Sequence, residues 1–143
     1  MTWGEIQIIA LEKMFAKDEA INVDMLDKLK KDDDCKWYLS AMPAVCNEAI
    51  RRIKPYIMNM YTYNKDTKSY EKTTIDRIES DTDNDYKLTL PEDSCVLIPL
   101  YIASQLYKDD DISQATVYRN EFEVGLQDLI PNIENQSTIV EVY

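Results

Sequence analysis

Apolar residues recur at helical spacing in several stretches of the chain. Thr2 followed by Glu5 has the form of a capping box, and Trp3, Ile6, Ile9, Ala10 and Met14 behind it predict a helix over about residues 2–16. After a polar segment, Val23 to Leu29 reads as a short helix. Asp32, Asp33 and Asp34 then stand ahead of Trp37, Leu39, Met42, Val45, Ala49, Ile50 and Ile53. Acidic side chains suit the positive end of a helix dipole, so this run predicts the start of a second long helix. Pro43 removes a backbone donor inside it and predicts a kink or break near Met42. Pro91, backed by Glu92 and Asp93, predicts a third helix with proline at its first position and a kink at Pro99. Its residues Val96, Leu97, Leu100, Tyr101, Ala103, Leu106 and Tyr107 are apolar almost all round, as in a helix central to a core or covered by a second copy. Asp111 with Gln114 caps a fourth helix carrying Ala115, Tyr118, Phe122, Leu126 and Leu129, which Pro131 ends.

The pattern changes between Tyr56 and Leu90. Tyr56 to Tyr63 is aromatic-rich without a polar face at period 3.6, and the turn-prone Asn64-Lys65-Asp66 separates it from Tyr70 to Ile78, so a β-hairpin is expected. Asp81 to Asp85 reads as a solvated acidic loop, and the last residues, Ile139-Val140-Glu141-Val142-Tyr143, form a short β-prone end. The expected fold is thus mainly α. It is a single domain over 1–143: a bundle of about four helices (about 2–54 and 90–131), a β-hairpin insertion (about 55–89) and an extended C-terminal tail (132–143).

Length permits this, since a chain of 143 residues buries roughly 70% of its unfolded surface without staples. Composition narrows the chemistry. Histidine is absent, which removes Ser-His-Asp and Cys-His hydrolysis and His-bearing zinc or iron sites. Glycine occurs only at Gly4 and Gly125, so neither G-x-G-x-x-G nor a P-loop can be written. No enzyme activity and no cofactor are expected. Cys35, Cys46 and Cys95 form no CxxC and are too few to staple a secreted domain, which points to reduced core thiols in a protein made in a cytoplasm. No signal peptide or membrane span is expected, because the amino terminus lacks a basic region and Pro99 interrupts the longest apolar stretch.

The net charge is −11, which disfavours gripping DNA or anionic lipid through the bulk of the surface. Its distribution is uneven. Residues 1–50 hold 6 basic and 10 acidic side chains, residues 51–77 hold 7 and 3, and residues 78–143 hold 3 and 14. The only basic part contains Arg51, Arg52, Lys54, Lys65, Lys68, Lys72 and Arg77. It suits an acidic partner surface or a neighbouring copy of this chain, and equally a solvated face with no partner.

Three constellations have a chemical reading and a plainer one. Asp81, Asp83 and Asp85 with Glu92 match the ligand count of an EF-hand, but Tyr86 stands where the loop needs glycine, so a solvated acidic loop is the better reading. Asp109-Asp110-Asp111 is best read as an interhelical turn ending in a cap, since adjacent solvent-facing carboxylates do not separate into acid and base. The three cysteines are too widely spaced for a zinc site and are expected in the core, so no metal is assigned.

Three stretches together resemble a known family. They are Trp3-x-x-Ile6 with Ala10-Leu11-x-Lys13-Met14-Phe15; Tyr38-Leu39-x-Ala41-Met42-Pro43-Ala44 with Asn47 to Ile53; and Ile98 to Asp111 with Ala115, Arg119 to Glu123 and Leu126. They look like the head-to-tail connector (adaptor, or head completion) proteins of tailed bacteriophages, over roughly residues 2–54 and 90–130. The resemblance implies a structural virion protein at the neck, made in the host cytoplasm. It would form a homo-oligomeric ring, usually of twelve subunits, between the portal protein and a tail-side neck or tail-completion protein. DNA would pass through the lumen without specific binding, and no membrane is involved. It further implies that the C-terminal tail, through Ile139, Val140, Val142 and Tyr143, contacts the portal by strand addition. Arg51, Arg52, Lys65, Lys68, Lys72 and Arg77 are the expected contacts to a neighbouring subunit or the tail. The alternative is a soluble helical adaptor or regulatory module that binds a protein partner through the basic 51–77 segment.

Overall fold

A computed structural model describes residues 1–15, 21–57, 61–72 and 76–129. The chain is mainly helical. Helix α1 spans Trp3–Met14, and a 3-10 turn at Val23–Met25 runs into the single turn α2, Leu26–Leu29. Helix α3 is Lys36–Ile53, α4 is the turn Glu92–Cys95, α5 is Ile98–Leu106 and α6 is Ile112–Asp128. Between α3 and α4 lies an antiparallel ribbon of β1 (Tyr61–Asn64) and β2 (Ser69–Lys72), with Tyr63 opposite Tyr70 and Tyr61 opposite Lys72.

Helix α5 is the centre of the core and packs against α1, α3 and α6. Ile98, Tyr101, Ile102, Ala103 and Leu106 are all buried, which is why the segment is apolar almost all round. This chain's own helices cover it. Its composition therefore gives no argument for a second copy.

The caps follow the expected chemistry at two starts. Thr2 Oγ1 accepts from the Glu5 amide at 3.2 Å, and Asp111 Oδ1 accepts from the Gln114 amide at 3.1 Å. The prolines depart from expectation in three places. Helix α3 runs on through Pro43, so of the kink or break expected near Met42 the break does not occur. The ~3 kcal/mol penalty for an interior proline is offset by burial on both sides of it, at Leu39, Met42, Cys46, Ala49, Ile50 and Ile53. Pro91 is the N-cap of α4 and not its first residue, its carbonyl accepting from Ser94 and Cys95. Pro99 does not kink a long helix: the chain breaks earlier, at Val96–Leu97, and Pro99 sits in the first turn of α5, where its missing N–H would have no intrahelical acceptor. Nor do the three aspartates 32–34 enter the first turn of α3; they form the preceding turn, where Asp32 Oδ1 accepts from the Asp34 amide at 2.8 Å.

The stretch from Asp76 to Leu90, expected as part of the insertion, is packed on the helices. Ile78 and Leu88 are buried, and the Asn47 side chain holds both backbone groups of Ile78 at 2.8 Å. The acidic loop closes on the start of α1: Asn84 and Tyr86 carbonyls accept from the Gly4 and Trp3 amides at 2.9 and 2.8 Å. Those amides belong to the first turn, which has no intrahelical acceptors for them. Gly4 is required here, because a Cβ would lie 2.9 Å from Val23 Cγ1 and 3.0 Å from the Asn84 carbonyl oxygen.

Candidate interaction surfaces

The basic segment is divided among different environments. Arg52 is half-buried: it donates to Glu123 Oε1 at 2.7 Å and lies 5.8 Å from the Tyr101 ring centroid and 5.7 Å from that of Phe122. Glu123 Oε1 also accepts from Arg119 Nε at 3.1 Å. Arg52 therefore has a partner within the chain, linking α3 to α6 through its side chain while remaining half-exposed. Arg77 is exposed and paired with Glu79 Oε1 at 2.7 Å. Arg51 is exposed on α3, and Lys65 and Lys68 are exposed in the turn joining β1 to β2. Lys68 has φ 54°, in the left-handed region that favours glycine. Lys72 closes β2. The expected portal contacts Ile139, Val140, Val142 and Tyr143 lie outside the described residues.

Polar clusters that sequence reading missed sit inside the fold. Asp76 is buried, and its carboxylate accepts from Tyr86 Oη at 2.6 Å, from the Thr89 hydroxyl and amide each at 2.9 Å, and from the Leu90 amide at 3.3 Å. The hydrogen bond to Asp76, with burial second, pushes the Tyr86 phenol up to about 12. Tyr101 Oη donates to Glu48 Oε1 at 2.5 Å, and burial followed by that bond raises its pKa to about 12. Gln7 Nε2 donates to Asn84 Oδ1 at 3.0 Å, tying the acidic loop to α1 from the inside. Nothing in local spacing marks these partners, because each joins residues far apart in the chain.

The cysteines are all buried. Burial raises the Cys46 thiol to about 12 and the Cys95 thiol to about 11, which keeps both protonated and unreactive near neutrality. Among the described residues no group of three or more Cys, Asp or Glu side chains is arranged to hold a metal ion. Asp81, Asp83 and Asp85 therefore do not converge as an EF-hand loop would. Among the same residues no helix is long and apolar enough to cross a membrane.

The outer face of α6 is the second surface. Val117 is 45% and Val124 59% exposed, and they line an open groove of about 390 Å³ with Asn120, Glu121, Gly125 and Asp128. Val124 is two residues from both Phe122 and Leu126, about 200° round the helix, so the valines lie opposite the core-facing residues. Valine costs helix propensity and returns it by burial, which none of the described residues supplies on this side of the helix. Gly125 lets Leu97 close the inner side: a Cβ there would lie 2.3 Å from Leu97 Cδ2.

Comparison with protein-family models, curated proteins and solved structures finds no match to this chain.

Proposed function

We propose that this chain is a structural subunit of a phage neck, assembling into a ring that joins the portal to the tail and continues the DNA channel. The observation that carries the reading is where the three family-like stretches fall. They occupy α1, α3, α5 and α6, and α5 packs on each of the other three. The resemblance thus covers the folding unit itself and not scattered surface phrases. In this reading the acidic helical body borders DNA and repels its phosphates, so that the genome slides past without being held. The C-terminal residues Ile139, Val140, Val142 and Tyr143 reach the portal by adding a strand to an exposed edge. No substrate is turned over and no cofactor is used.

Portal attachment supplies the test. Full-length chain mixed with the portal protein of the same genome should co-sediment with it, and removal of residues 132–143 should abolish co-sedimentation while leaving the helical circular dichroism unchanged. Full-length chain that does not co-sediment with the portal would contradict the reading. The adaptor alternative draws on the whole 51–77 segment, but Arg52 is committed to Glu123 and Arg77 is paired with Glu79, which leaves Arg51, Lys65 and Lys68 as its exposed cations among those described.

A further inference from the structure

We infer that the outer face of α6 receives the basic turn of a second copy of this chain, and that this pairing is the repeating head-to-tail contact. The inference rests on the ring reading above and names the surfaces that would make it. The apolar face of α5 is taken up by α1, α3 and α6, with Ile98, Tyr101, Ile102, Ala103 and Leu106 buried. The apolar surface left over is elsewhere. Of the exposed large hydrophobic residues, Ile112, Val117 and Val124 all belong to α6, and Val96 precedes the Leu97 that lies on Gly125.

The rim of the groove decides the partner. Glu121 and Asp128 line the same groove, each four residues after one of the valines and so next to it on the helix surface, which gives the apolar strip a carboxylate edge. A copy of this chain offers matching chemistry in residues 51–77, which hold 7 basic and 3 acidic side chains while 1–50 and 78–143 are each net negative, and Lys65 and Lys68 stand exposed there in a turn. Ammonium groups meet carboxylates at the rim while the aliphatic lysine stems lie along the valines. Groove and turn are different surfaces of one subunit, so each copy can give one and receive the other. Such a heterologous contact extends until it closes.

Sedimentation velocity on two complementary variants tests this. In one variant Val117→Lys and Val124→Lys block the groove; in the other Lys65→Ser and Lys68→Ser remove the turn's charge. All four positions are exposed, and each variant should keep the wild-type circular dichroism and melting curve. Wild-type chain should form closed oligomers, each variant alone should sediment as a 16.7 kDa monomer, and an equimolar mixture should give dimers and nothing larger, since one intact turn meets one intact groove. Variants that assemble like wild type would overturn the assigned surfaces while leaving the ring reading standing. Wild-type chain that remains monomeric at every concentration, both alone and mixed with the portal protein, would overturn both. A chain ending at Leu129 should still assemble; loss of assembly on that truncation alone would assign the groove to the chain's own C-terminal residues and overturn the inference.

Discussion

Arg52 on α3 reaches Glu123 on α6 at 2.7 Å and lies near two buried rings, Tyr101 of α5 and Phe122 of α6. Its neighbour Arg51 is exposed, so two adjacent arginines have different roles. Arg52→Ala should cost about 1–2 kcal/mol, combining a partly screened ion pair with cation–π contact, whereas Arg51→Ala should stay within about 0.5 kcal/mol. Urea denaturation of the two variants checks the difference, and equal effects would contradict it.

Asp76 gathers four donors from the segment between the ribbon and α4. Its replacement by alanine removes four part-buried hydrogen bonds made by one buried carboxylate and should cost about 2–3 kcal/mol, while Asp76→Asn, which keeps one acceptor oxygen, should cost less. A denaturation midpoint for Asp76→Ala equal to wild type would show that the 76–90 segment contributes little to the fold.

Tyr86 and Tyr101 have phenols raised to about 12. A tyrosine raised from its ordinary value near 10 stabilises the fold fully below about pH 10, and that contribution is lost as pH rises through about 12. Tyrosinate absorbance should therefore rise in two phases, and the fold should weaken across the second. The second phase should shrink in Tyr86→Phe and in Tyr101→Phe. A single phase near pH 10 would contradict the hydrogen bonds to Asp76 and Glu48.

Gly125 sits inside α6, where alanine would ordinarily gain about 1 kcal/mol in helix propensity. Here the Cβ would fall 2.3 Å from Leu97 Cδ2, and overpacking of this kind costs about 1–3 kcal/mol. Gly125→Ala should lower the melting temperature, and the same substitution in a Leu97→Ala background should raise it. A stabilising effect in both backgrounds would place Leu97 elsewhere.

What the sequence revealed depended on how local the determining chemistry was. Thr2 with Glu5 and Asp111 with Gln114 mark helix starts three residues apart, and both caps form as the spacing implies. The prolines were a weaker guide because their effect depends on tertiary burial: Pro43 ends no helix where Met42 and Cys46, on either side of it, are both wholly buried. The Asp76–Thr89 and Asn47–Ile78 bonds were invisible, since no periodicity relates residues that meet only after the chain returns. The candidate groove was partly visible. Val117 and Val124 repeat every seven residues on the side of α6 away from Phe122 and Leu126, a second apolar stripe that one buried face does not need. The charge division was legible at once, but only coordinates could separate Arg52, which is structural, from Lys65 and Lys68, which are exposed.

The central claim is ring assembly at the neck, and negative-stain electron microscopy tests it most directly. The purified full-length chain, alone at high concentration and after mixing with the portal protein of the same genome, should show annular particles with a central channel, free or seated on one end of the portal. Dispersed monomers in both preparations would contradict the account.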